Sequence, residues 1–544
     1  MTDFSWSRRS VLAASTSAAA LAATPACAIA ALAGPPLVVT TSGPVIGRIS
    51  DNGAICFKGI RYGAAPTGPL RFLPPQKPAP WKDSFNATKF GPPAMQMPSG
   101  TAGEEPKTEL AKSLQVVYPT LAEWKENSED CLFLNVWTPS INASRKWPVM
   151  VWLHGGGFAY GSGAWPAYDG GNLARKDVIV ITLNHRLNAF GYLELGDVFG
   201  ADYAQSGNVG MLDIVLALQW VRDNIAAFGG DPSNVTIFGE SGGGAKVSTL
   251  MAMPAAKGLF HKAIVESGPG LKGVPKDAAT KDAKDLLAQL KITDIKALQS
   301  VPADQIVKAA FAVAAQRGPG SEIRFLAPVV DGAVLPADPF DPAAPAQSAD
   351  VPLIIGTNKD EMTLFMAGQP WFGKLTDEQL AAQTAMMGGP NAPTVLAALK
   401  KAHPDYSPTY LMTEFVTTTF MWGGSVTLAT RKAAQSAPVY MYQLVWETPI
   451  GNGVFKSPHT LEIPLVFDTV EVSRPLLGPG PAPQQLADQM SAAWVAFAKT
   501  GNPNNPAIPN WPAYDAANRA TMMFDVSSKV VNDPYADVRK ALGG

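Results

Sequence analysis

The chain has 544 residues, with 43 Lys and Arg against 45 Asp and Glu, so its formal net charge is −2. A near-neutral chain has no general pull on a phosphate backbone, which argues against a nucleic-acid partner. Apolar residues make up 47% and charged residues 16%, enough for a large core and short of the usual charged share of about 25%. Gly (49) and Pro (48) are frequent and Cys (3) is rare, a balance that fits neither a disordered chain nor a disulfide scaffold.

In chain order the first signal is an address. Ser7-Arg8-Arg9-Ser10-Val11-Leu12 is followed by an Ala-rich, weakly apolar run to about Ala33. Candidate cleavage triplets are Ala26-Cys27-Ala28 and Ala31-Leu32-Ala33. A positive start, an apolar centre and an A-x-A end make an export signal over residues 1–33. Its paired arginines resemble a twin-arginine signal, so the mature chain is expected in the periplasm or outside the cell. The run is diluted by Ser, Thr and Pro and is short for a span, and no other segment approaches 18 uncharged apolar residues, so no stable membrane span is expected.

Seven short β-branched or aromatic runs then read as buried strands: 132–137, 149–153, 178–183, 235–238, 263–265, 353–355 and 439–445. Helical periodicity appears between them, most clearly over 211–228 and 485–499, with Trp494 and Phe497 facing inward. Strands alternating with helices predict an α/β fold, a mainly parallel central sheet flanked by helices with long insertions. Pro/Gly clusters at 88–100, 316–350 and 475–484 read as surface excursions rather than linkers, so residues 34–544 are expected to form a single elaborated domain. Cys56 and Cys131 read as buried thiols, and no Cys/His cluster has zinc-ligand spacing.

The chemistry concentrates at one turn. The strand Val235-Thr236-Ile237-Phe238 runs into Gly239-Glu240-Ser241-Gly242-Gly243, and a helix-compatible stretch, 245–253, follows. This is G-x-S-x-G in its strand–turn–helix setting, which lifts the Ser241 hydroxyl above the sheet at a helix N-terminus. Upstream, strand 149–153 ends in His154-Gly155-Gly156-Gly157-Phe158, an HGGG-type loop whose backbone N–H groups face an oxyanion. The expected donors are Gly156, Gly157 and Gly242. A phosphate loop is the rival reading, but neither glycine cluster has its pattern. Five histidines compete for the base: His154, His185, His261, His403 and His459. His459 fits the order serine, acid, histidine and follows a strand by a Gly/Pro-rich loop. The acid then falls in Asn358-Lys359-Asp360-Glu361, where spacing alone does not separate Asp360 from Glu361.

With these residues in place the chain resembles the type-B carboxylesterase/lipase family, the branch of the α/β-hydrolases that includes cholinesterases. The resemblance spans about residues 37 to 515. It is carried by Phe57-Lys58-Gly59-Ile60-Arg61-Tyr62, Gly68-Pro69-Leu70-Arg71-Phe72, Glu129-Asp130-Cys131-Leu132, the 154–158 loop, Phe228-Gly229-Gly230-Asp231-Pro232, Ser241, Asp331-Gly332, Asn358–Glu361, His459 with Glu462, and Phe497–Pro503. It implies a triad of Ser241, Glu361 and His459, supporting positions beside the triad at Glu240 and Ser267, an acyl-enzyme route, and neither metal nor organic cofactor. Three departures stand out. Gly242 replaces the usual Ala, which implies a looser elbow or a wider pocket floor. The disulfide partner of the Cys131 position reads Ala94-Met95, so that bridge is absent. The loop carrying Trp124 lacks the choline-binding spacing, which argues against cholinesterase activity.

The expected function is serine-dependent hydrolysis of a small apolar or aromatic carboxylic ester. Trp165, Trp371, Phe372, Phe420, Met421 and Trp422 are expected to line an apolar gorge. The alternatives are a carbamate, an amide or a toxin polyol ester as substrate, or a non-catalytic binding protein. Oligomeric state is not legible.

Overall fold

A computed structural model describes residues 34–97, 127–318, 321 and 325–542. The export signal expected over 1–33, with Cys27, and the loop residue Trp124 lie outside the described residues. Eleven strands form the main sheet: β1 (Arg48–Ile49), β2 (Ile55–Arg61), β3 (Phe133–Thr138), β4 (Trp147–Leu153), β5 (Ile179–Leu183), β6 (Gly230–Glu240), β7 (Lys262–Glu266), β8 (Leu353–Asn358), β9 (Val439–Leu444), β10 (Ala520–Phe524) and β11 (Lys529–Asn532). Their spatial order is β11-β10-β9-β8-β7-β6-β4-β5-β3-β2-β1. From β5 to β10 every neighbouring pair is parallel. Antiparallel pairs close both edges.

The seven expected strands are present with ends shifted by a few residues. Their apolar runs follow from burial on both faces. On β4, Val149, Val151 and Leu153 pack into one core cluster, while Met150 and Trp152 pack into a second. The first cluster takes in helices α1 (Val209–Asn224) and α2 (Gly242–Ala252), the second helix α3 (Ala482–Thr500). Trp494 and Phe497 of α3 are fully buried, as their spacing predicted.

Three of the recognised motifs are joined by charge. Arg71 grips Glu129 with two bonds of 2.5 and 2.6 Å, and Arg61 grips Asp130 with two of 2.6 and 2.7 Å. Such forks fix one segment's angle on another. Buried Arg186 likewise forks onto buried Asp213 of α1, at 2.7 and 2.9 Å. Asn188 stands at φ 45°, a left-handed conformation Asn adopts more readily than most residues. Cys56 and Cys131 are buried free thiols.

One composition-based expectation fails. The 316–350 segment is not a surface excursion over its described length: Phe325, Leu326, Val329, Leu335 and Phe340 are buried. Its prolines shape a path that still delivers apolar side chains to the core. Among the described residues no helix is long and apolar enough to cross a membrane.

Candidate active site

Strand β6 passes directly into α2, and Ser241 is the hinge, with φ 56° and ψ −121°. A left-handed serine is strained and persists only where its surroundings over-determine it. They do so here. A side chain on Gly239 would come within 2.5 Å of Leu153 O and 2.7 Å of Gly243 C, and one on Gly243 would run into the Leu153 carbonyl. Ser241 N–H donates to Glu266 O at 2.8 Å, which ties the turn to β7. The helix begins at Gly242, three residues earlier than the sequence implied, so three glycines form its first turn.

The 154–158 loop lies against this turn. Gly156 and Gly157 adopt φ 86° and 61°. Gly242 does not open the pocket floor: an added methyl would fall within 2.5 Å of Gly157 N and Cα and collide with Gly157 O. The space an alanine would fill is taken by the glycine loop. The N–H groups of Gly156, Gly157 and Gly242 donate to no acceptor among the described residues.

His459 and Glu361 come together from the loops after β9 and β8. His459 Nδ1–H donates to Glu361 Oε2 at 2.5 Å, and the His459 amide donates to Glu361 O at 3.3 Å. Glu361 Oε1 accepts from the Asn358 amide at 2.7 Å. Asp360, the rival acid, turns away and accepts from the Ser457 amide at 3.3 Å. His459 Nε2 lies 3.1 Å from Glu240 Oε1, beside Ser241. Ser241 Oγ makes no hydrogen bond among the described residues. Phe365 lies over His459, ring centroids 5.2 Å apart, and is 46% exposed.

Beneath His459 four carboxyl groups are buried: Glu240, Glu266, Glu361 and Glu462. Glu462 accepts from Ser267 Oγ at 3.0 Å and Asn358 Nδ2 at 2.5 Å. Glu266 accepts from Trp494 Nε1 at 2.7 Å. Burial, then the neighbouring Glu361, pushes Glu462 up to about 7. Burial likewise pushes Glu240 and Glu266 well above the carboxylate range. For His459, burial pulls the pKa down, while Glu240 and Glu361 outweigh it and lift it to about 10.

The remaining histidines sit elsewhere. His154 and His185 stack, centroids 5.0 Å apart, and burial holds the His154 pKa down at about 3. His261 accepts from the Val235 amide, and His403 stacks on Tyr406. The six residues expected to line a gorge do not form one wall. Trp165 packs on Tyr168 across the sheet from α2, Trp371 joins a separate cluster of helices, and Trp422 is buried against Tyr535. Phe372 meets Tyr410, and Phe420 and Met421 lie on the helical turn Thr417–Trp422, Phe420 exposed. Phe365, Glu266 and Lys246 were missed by the sequence reading. Lys246 was detectable as the lone charge among small and apolar residues five positions past Ser241.

A parallel-centred sheet with helices on both faces, carrying a left-handed serine on a strand–helix turn, is the α/β-hydrolase fold. Residues 34–541 match the model of the "Carboxylesterase family", and the chain belongs to that family, a carboxylic ester hydrolase by membership. It is 37% identical to the para-nitrobenzyl esterase of Bacillus subtilis over 93% of this chain and 98% of the relative. It is 35% identical to a liver carboxylesterase of Sus scrofa, over 89% and 88% respectively. The crystal structure of a Geobacillus stearothermophilus carboxylesterase superposes with a TM-score of 0.80 at 37% identity, over 93% of this chain and 99% of that one.

Proposed function

We propose that Ser241 is the nucleophile of a serine carboxylesterase, His459 its general base and Glu361 the acid that orients the base. Ser241 Oγ attacks the ester carbonyl carbon while His459 Nε2 takes its proton. The carbonyl oxygen becomes an oxyanion facing the N–H groups of Gly156, Gly157 and Gly242. Collapse expels the alcohol, protonated by His459, and leaves an acyl-enzyme. A water activated by His459 then releases the carboxylic acid. The observation that carries this reading is the 2.5 Å bond from His459 Nδ1–H to Glu361, which leaves Nε2 turned toward the Ser241 turn. Nε2 leans on Glu240 in this conformation, and the Ser241–His459 bond forms as substrate enters, since such bonds tighten in the complex. Phe365 gives the mouth of the site an apolar surface, which suits a small apolar or aromatic ester.

Initial rates on p-nitrophenyl esters from acetate to palmitate, with Ser241→Ala alongside, test the reading. Activity is expected to fall by about 10⁴-fold or more in the variant. A variant that kept its rate would remove Ser241 from the mechanism. We also propose export through residues 1–33; replacing Arg8 and Arg9 by Lys is expected to leave the chain in the cytoplasmic fraction, and unchanged export would overturn that.

A further inference from the structure

Lys246 lies on the first turns of α2 and is fully buried. Its Nζ donates to Gly157 O at 2.7 Å and to His154 O at 3.1 Å, and sits 5.1 Å from the Phe158 ring centroid. The two carbonyls bracket the glycine loop. The carbonyls between them are also held. His154 Nδ1–H donates to Gly155 O at 2.9 Å, and Gly156 O accepts from the Tyr160 and Ala159 amides at 3.0 and 3.3 Å.

All four carbonyls from 154 to 157 are thus held, the outer two by Lys246 of α2, Gly155 O by the His154 ring and Gly156 O by the following turn. In a trans peptide the N–H points opposite the carbonyl of the same plane. Anchoring Gly155 O therefore aims the Gly156 N–H, and anchoring Gly156 O aims the Gly157 N–H, both of which lack acceptors among the described residues. The middle bonds are local to the loop, whereas among the described residues Lys246 alone ties both ends to the helix that follows Ser241. Resting on the oxyanion role proposed above, we infer that Lys246 is a positioning residue: it holds the glycine loop so that the Gly156 and Gly157 N–H groups face the acyl oxygen. Burial, partly offset by Glu240, brings Lys246 down to about 7. A neutral amine still carries the two hydrogens that two carbonyls need. Gly242 belongs to the same device, because a methyl there would occupy the place where Lys246 holds Gly157.

The test measures kcat, KM and inhibition by a trifluoromethyl ketone, which forms a tetrahedral oxyanion on the serine, in Lys246→Met, Lys246→Gln and Gly242→Ala. Lys246→Met is expected to lose about 10²-fold in kcat, the scale of one oxyanion donor, with KM within twofold. Its ketone Ki should rise in step with the fall in kcat/KM. Lys246→Gln, which keeps two N–H donors, should recover at least about tenfold of that loss. A folded Lys246→Met with wild-type kcat and Ki, or one changed in KM alone, overturns the inference. Should the lysine variants not fold, Gly242→Ala decides: with the loop pinned it is expected to lose at least about tenfold in kcat, and full activity would show that nothing holds the loop in place. Ser241→Ala separates the two levels. If it keeps activity the oxyanion assignment itself fails; if it is dead while Lys246→Met is unaffected, only the role of Lys246 fails.

Discussion

At the scale of single residues, adjacent carboxyls in one loop have opposite fates. Glu361 faces His459, while Asp360 turns to the Ser457 amide. One-residue spacing in a loop carries no direction, which is why the residues alone left both open and only the family pattern chose. Ser241 and His459 were legible because their signals are local: a glycine-bounded turn and a histidine after a strand. Lys246 offered only a weak signal, a lone charge among small and apolar residues, because a lysine on a helix reads as solvated unless its burial is known. The two carboxyl groups that face His459 give direct checks. Glu361→Gln is expected to drop kcat by about 10³–10⁴-fold, since the imidazole loses its orienting acceptor. Glu240→Gln removes a carboxyl that, with Glu361, lifts the His459 pKa, so the acid limb of the kcat/KM profile is expected to move to lower pH. An unmoved limb would show that Glu240 carries no charge beside His459.

At the scale of elements, the central strands were readable because burial on both faces makes their runs continuously apolar. The edge strands β1 and β11 were not: Arg48–Ile49 and Lys529–Asn532 are short and half-exposed, with no periodicity to mark them. The joint between α1 and the loop after β5 rests on Arg186 and Asp213, both almost wholly buried. Neither was predicted to pair, because nothing in a sequence brings positions 186 and 213 together. Asp213→Ala leaves a buried guanidinium unpaired and is expected to cost about 3–5 kcal/mol, read as a lowered denaturation midpoint in urea. Pairing it with Arg186→Met should recover part of the loss. A single variant as stable as the parent would show that water reaches the guanidinium.

At the scale of the whole molecule, the class of fold was legible and the course of its insertions was not. The 325–340 stretch joins the core although its prolines read as surface, since proline limits backbone angles but does not keep apolar side chains out. The buried acids bear on the stability of the entire chain. Glu462 rises from 4.5 to about 7 on folding, so between these values the folded chain holds a proton that the unfolded chain has released. Its contribution to stability is full below about 4.5 and is lost as pH climbs through 7. Lys246, lowered from 10.5 to about 7, works in the opposite sense but only above that range. Thermal midpoints between pH 5 and 7 should therefore fall more steeply in the wild type than in Glu462→Gln. Parallel slopes would show that Glu462 titrates alike in both states.

The loops that carry Ser241, Glu361 and His459 follow β6, β8 and β9, which are widely spaced along the chain though close in the sheet. On the proposed triad, this spacing sets a timetable. A growing polypeptide that has already formed its elbow and glycine loop must wait for the segment around residue 459, roughly 10–40 s later at about 5–20 residues per second. Until then it is a scaffold without a base. A truncated product lacking its last hundred residues would be inert towards esters, and activity in a translation time course should appear only with the full-length chain.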